Sequence, residues 1–255
     1  MTLVEWAARR DRFVIGAGLL VVILLSWAWI VPMAHDMYGP MTGASRWMMT
    51  ATWDTQYVIL LWAMWSVMMA GMMLPSASPM LLLYATALRR GPAAAAPAPR
   101  VYAMAGGYLL VWMLFSIGAT ALQRMLSARL LITPMMETAS PLVSGTLLLA
   151  AGIYQLTPFK ATCLRACRSP LSFISQHWRT GTGGAFRMGF DHGLYCLGCC
   201  WALMLLLFAG GVMNLWVIAA LTIAVLVEKL TPFGAHTTRI SGVALMALGA
   251  WMLLR

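Results

Sequence analysis

Five cysteines carry the chemistry this sequence is best equipped to perform. Cys163 and Cys167 stand four residues apart, and Cys196, Cys199 and Cys200 form a second group that follows His192 by four residues. In a helix, positions 192, 196, 199 and 200 fall on one stripe, which Met204 extends by a turn; Cys163 and Cys167 share a face of their own. Thiolates and thioethers are soft ligands that favour Cu(I), with zinc the ordinary competitor at a set of thiolates. The spacing therefore points to a metal cluster made of Cys163, Cys167, Cys196, Cys199 and Cys200, with His192 as an additional ligand. Two other readings use the same residues: a thiol–disulfide pair that cycles electrons, and plain packing of a small apolar side chain.

Methionine is the second signal, at 22 of 255 residues. The run from Met64 to Met73 puts Met64, Met68 and Met72 on one helical stripe, with Met69 and Met73 on the adjacent one. Met68, Met69, Met72 and Met73 are the secondary metal candidates, against the alternative that methionine fills irregular gaps in a core. His35, Asp36, Met37, Met41, Met48 and Met49 offer a similar mix in the first loop, where copper could be received or released. Acidic residues are scarce. Asp191 is expected to cap the fifth apolar segment or to orient His192, and Glu228 and Lys229 to form a neighbouring or interfacial ion pair at the end of the sixth. There is no phosphate-binding glycine loop, nucleophile elbow or close carboxylate pair, so neither a hydrolase nor a nucleotide enzyme is indicated.

These side chains must be positioned by membrane helices. With 62% hydrophobic and 9% charged residues, and a mean hydropathy of +0.81, the chain lacks the polar surface to cover a water-soluble domain. The net charge of +10 does not point to nucleic acid, because the basic residues fall between apolar runs. Seven segments approach the length of a crossing: residues 13–31, 57–88, 101–122, 142–156, 193–212, 214–227 and 240–254. Thirteen Lys and Arg residues then lie on one side and four on the other, which puts the N-terminus in the cytoplasm. The first segment is expected to be an uncleaved helix. Residues 1–255 read as a single integral membrane domain in an all-α bundle, with both cysteine groups at its cytoplasmic end, where thiols stay reduced.

Ser144-Gly145 with Gly152 matches Ser241-Gly242 with Gly249, and Leu156-Thr157-Pro158-Phe159 returns as Leu230-Thr231-Pro232-Phe233. An inverted repeat is one explanation; close packing of small residues and Thr-Pro helix ends is the other.

Three stretches carry a family resemblance: residues 64–76 (Met-Trp-Ser-Val-Met-Met-Ala-Gly-Met-Met-Leu-Pro-Ser), residues 154–160 followed by Cys163 and Cys167, and residues 193–201. In that order they resemble a bacterial integral membrane family described as predicted metal-binding membrane proteins. The resemblance implies metal binding in a bacterial inner membrane, names no metal and supplies no catalytic residue. The sequence thus predicts a multi-pass protein that handles copper, or zinc, in transport, sensing or delivery. Its partners would be the lipid bilayer, the metal ion and a membrane metalloenzyme or metallochaperone, with no nucleic acid. The rivals are a transmembrane thiol–disulfide carrier and an assembly subunit of a membrane complex.

Overall fold

The computed structural model describes residues 3–39, 47, 53–89, 97–133 and 136–254, in which the chain is all-α. Among the described residues nine helices follow in order: α1 (Leu3–Met37), α2 (Thr55–Arg89), α3 (Pro97–Ala128), α4 (Pro141–Gln155), α5 (Pro158–Arg168), α6 (Pro170–His177), α7 (Gly181–Gly210), α8 (Leu215–Leu230) and α9 (Gly234–Leu254). Among the described residues the only β-pairing is the isolated bridge Ile132–Thr138. Each of the seven apolar segments lies on a helix. Five helices are long and apolar enough to cross a membrane: α1 from Phe13, α2, α3, α7 and α9. The helices α4 and α5 would make a sixth crossing if taken as one span bent by 65°. At 16 residues α8 is shorter than the roughly 20 that a crossing takes.

Proline and glycine together explain how α1 meets α2. Pro75 lies inside α2 and has no N–H to give the carbonyl of Gly71, four residues earlier. The indole N–H of Trp27 on α1 donates to that carbonyl at 3.2 Å. Gly71 makes the approach feasible, because a Cβ there would stand 3.0 Å from the Ser26 Cβ and 3.2 Å from Ile30. The backbone group that proline strands is thus used to seat the first helix.

The helix α2 runs antiparallel to α3 and α7, which are parallel to each other. Contacts at two levels fix this register. At one level Trp65 Nε1 donates to Gln123 Oε1 (2.8 Å), and its ring lies 5.3 Å from that of Phe208. At the other, Met73 and Ser76 of α2 meet Tyr108 of α3 and Lys229 of α8. The methionine run spans the interval between these levels, and Met64, Met68, Met69, Met72 and Met73 are all fully buried.

The two Ser-Gly segments pair with each other. A Cβ on Gly145 would sit 3.0 Å from the Gly249 carbonyl, and one on Gly249 would sit 2.8 Å from the Gly145 carbonyl. Gly152 and Gly242 stand in the same reciprocal relation, at 2.7 and 3.2 Å. Thus α4 and α9 pack antiparallel at the close range that small residues allow. Both Thr-Pro steps end helices: Thr157 is the C-terminal neighbour of α4 and N-cap of α5, and Thr231 caps the C-terminus of α8.

Candidate metal centre

The fifth apolar segment belongs to a helix that begins at Gly181, not at residue 193, so the cysteine group lies at its middle rather than its start. Asp191 accordingly does not cap it. It sits inside α7 and pairs with Arg187 (3.4 Å) and Arg179 (3.8 Å). The amphipathic stretch at residues 181–192 continues the helix through polar sequence, because its Gly-Thr-Gly-Gly start is followed by no breaker.

Close approach of α3 to α7 builds one wall of the centre. A Cβ on Gly189 would overlap the Met104 carbonyl, and one on Gly193 would lie 2.8 Å from Val111. With the backbones this near, Tyr108 stacks on His192 at a centroid distance of 5.8 Å. Its hydroxyl donates to the Met73 carbonyl (3.1 Å) and lies 3.0 Å from Cys196 Sγ. From α8, Lys229 Nζ donates to Cys196 Sγ (2.8 Å) and to Ser76 Oγ (3.1 Å). An ammonium in hydrogen-bond contact is the countercharge that a buried thiolate needs. Helices α3, α7 and α8 therefore meet at one sulfur, and α2 holds the two groups that contact it.

Cys199 links this group to α5. Its Sγ lies 3.3 Å from Cys200 Sγ, 3.9 Å from Cys167 Sγ and 3.2 Å from the Cys196 carbonyl. Cys163 stands against the backbone at Gly198, where a Cβ would be 2.7 Å from its sulfur. Cys196, Cys199, Cys200 and Cys163 are buried, and Cys167 is half-buried. All five are free thiols. Both cysteine groups thus lie in one neighbourhood, with Cys167 at its open side. Among the described residues, no three His, Cys, Asp or Glu side chains converge as a ready-made metal cage. His192 is buried beside the cysteines, and its Nδ1 has no hydrogen-bond partner.

The methionines stand farther along the bundle. Trp65, Met69, Met72 and Ser76 share one stripe of α2, whose ends touch Phe208 and Lys229. Met69 and Met72 lie on this stripe between the two contacts, and both are fully buried. Met68 and Met73 are buried on flanking positions of the same helix. Of the first-loop candidates, Met41, Met48 and Met49 lie outside the described residues.

Sequence reasoning missed Tyr108 and Ser76 and misplaced Lys229. Glu228 and Lys229 are both buried and do not pair with each other, because consecutive helical residues project about 100° apart. Lys229 turns to Cys196, whereas Glu228 accepts from Lys160 (2.7 Å), a pair that is 1% and 0% exposed. Gln155 completes this second network: its amide donates to Glu228 (2.8 Å) and Ser241 (2.9 Å), and its oxygen accepts from Lys160. A signal was available. The chain has only two lysines among 17 basic residues, and each flanks one copy of Leu-Thr-Pro-Phe.

Comparison with known proteins adds a family. No curated protein and no solved structure matches the chain. The family model PpoB2, described as copper chaperone, matches residues 62–252, which hold every cysteine, the methionine run, Tyr108 and Lys229. The chain belongs to the PpoB2 copper chaperone family.

Proposed function

We propose that this protein is a multi-pass inner-membrane copper chaperone that takes Cu(I) as cargo on its cysteine cluster and passes it to a membrane metalloenzyme or another carrier. The observation that carries the reading is the meeting of two helices at their sulfurs, with Cys167 Sγ 3.9 Å from Cys199 Sγ and Cys200 Sγ 3.3 Å beyond. Metal–thiolate bonds are about 2.3 Å long, so an ion held linearly between two sulfurs sets them about 4.6 Å apart. Opening α5 from α7 by under about 1 Å meets that demand. Soft thiolates select Cu(I) over harder ions, and the family name supports the same metal.

Cys196 is the deeper acceptor, with Lys229 as its countercharge, and Met69 and Met72 continue the soft-ligand series along α2. Ligand exchange from thiolate to thiolate needs no nucleotide and no change in oxidation state, which suits a chaperone. The thirteen basic residues on one face support an orientation with the N-terminus and the cysteine end in the cytoplasm. In this topology α4–α5 and α8 complete a seven-segment bundle with the five long helices.

The test is copper binding by anaerobically purified, detergent-solubilised protein, titrated with Cu(I) against a chromogenic Cu(I) chelator. About one tightly held Cu(I) per chain is expected, with at least about a tenfold loss of affinity in Cys199→Ser and Cys196→Ser. Unchanged affinity in both variants would refute the cysteine site. A thiol–disulfide carrier is the second reading, favoured by the same Cys167–Cys199 approach. It predicts a reversible two-electron loss of two titratable thiols and no copper retention.

A further inference from the structure

The buried cluster has an open side, and the shape of that opening bears on what feeds it. A pocket of about 230 Å³ lies between α5, α6 and α7, lined by Arg165, Ser169, Ser172, Gln176, His177 and Tyr195. Its walls are polar and apolar in equal measure and carry a cation, Arg165. Tyr195 stands one helical turn, about 5.4 Å, before Cys199 on the same face of α7. Arg165 and Ala166 line the pocket from the segment that also carries Cys167, the one cysteine of the five that is not buried. Phe173 forms the floor. The His177 ring stacks on it at 4.3 Å, and His192 meets it edge-on at 5.1 Å. His192 is the buried imidazole with the unpartnered Nδ1. The pocket therefore lies beside the cluster: Ala166 precedes Cys167 on α5, Tyr195 precedes Cys199 by one turn on α7, and Phe173 touches His192.

Resting on the copper reading above, we infer that this pocket is the loading site, and that it takes Cu(I) as an anionic complex with small thiolates rather than as a bare cation. A bare monovalent cation gains nothing from an entrance that carries Arg165, whereas a bis-thiolate complex of Cu(I) bears a net negative charge. Arg165 attracts such an anion, and the serine hydroxyls and Gln176 supply hydrogen bonds to its carrier groups. Transfer is a ligand exchange. The bond from Cu(I) to Cys167 Sγ forms as one bond from Cu(I) to a carrier sulfur breaks, and the Cys167 proton leaves on the departing thiolate. Copper stays Cu(I) throughout. Repetition of the exchange at Cys199, 3.9 Å away, frees the second carrier thiol and draws the ion inward.

The experiment compares copper uptake rates from two donors in the detergent-solubilised full chain: Cu(I) with excess mercaptosuccinate, an anionic thiolate complex, and the cationic Cu(I)–acetonitrile complex. Arg165 and Ser172 are exposed, so Arg165→Glu and Ser172→Glu alter the pocket's charge without touching the core. Each is expected to lower the ratio of the thiolate-fed to the acetonitrile-fed rate by about tenfold, an effect that weakens with salt, while Arg165→Lys keeps the wild-type ratio. Ratios within about twofold of wild type in both Glu variants would overturn the loading site. Failure of the wild-type protein to retain copper from either donor would instead overturn the copper reading itself.

Discussion

Glu228→Gln is the perturbation whose consequence the structure specifies most closely. The Glu228 carboxylate accepts from Lys160 at 2.7 Å, from Gln155 at 2.8 Å and from Ser241 at 3.4 Å, and both members of the ion pair are essentially inaccessible. Replacing the carboxylate by an amide leaves the Lys160 ammonium buried without a countercharge, with only neutral amide oxygens, that of Gln155 among them, to accept from it. Stranding one member of a buried pair costs about 3–5 kcal/mol. For a chain of this size each kcal/mol moves the melting temperature by about 2–4 °C, so a drop of roughly 6–20 °C is expected. Thermal unfolding in detergent, followed by a thiol-reactive fluorophore, is a suitable assay because four of the five cysteines are buried. The double variant Lys160→Met/Glu228→Leu removes both charges and should recover most of the loss, since the penalty lies in the uncompensated ion. The pair also ties α5 to α8, the second tie being the Arg168 guanidinium on the carbonyls of Thr231 (2.8 Å) and Pro232 (2.9 Å). Glu228→Gln should therefore expose Cys163, which is buried on the same helix α5, to labelling well below the melting temperature. A melting temperature within about 2 °C of wild type, with unchanged labelling, would refute the reasoning.

Three further outcomes follow from packing and hydrogen bonding. Gly152→Ala should destabilise by about 1–3 kcal/mol, because its Cβ would meet the Gly242 carbonyl at 2.7 Å across the α4–α9 contact, whereas Gly118→Ala, with nothing within 4 Å, should be neutral or stabilising by up to about 1 kcal/mol; paired melting curves check both. Trp65→Phe should cost about 1–3 kcal/mol in the same assay, since it leaves the buried Gln123 oxygen without its donor. Lys229→Met should slow alkylation of Cys196, because a buried sulfur without its countercharge stays a thiol, while it speeds loss of copper to a competing chelator; the two rates measured on one preparation decide it.

Periodicity and composition determine the elements of this protein. Seven apolar runs become helices because a helix satisfies its backbone hydrogen bonds within one segment, which suits long continuous apolar runs without the alternation of a barrel strand. The soft-ligand inventory is equally legible, since cysteine and methionine announce their chemistry by type. Helix extent was less so: the polar residues 181–192 continue α7, which moves Cys196 to mid-helix and Asp191 into a pair with Arg187. Only tertiary structure decides which groups face each other. Cys167 and Cys199 are 32 residues apart, Lys229 and Cys196 are 33, and Lys229 and Ser76 are 153. Their meeting depends on the register of α2 against α7 and on how near α3 can come at Gly189, quantities that follow from side-chain volumes on several helices at once. The two glycine repeats show the division most plainly. Their spacing is written in the sequence, while their reciprocal contact exists only because α4 and α9 run antiparallel at a separation that small residues alone permit.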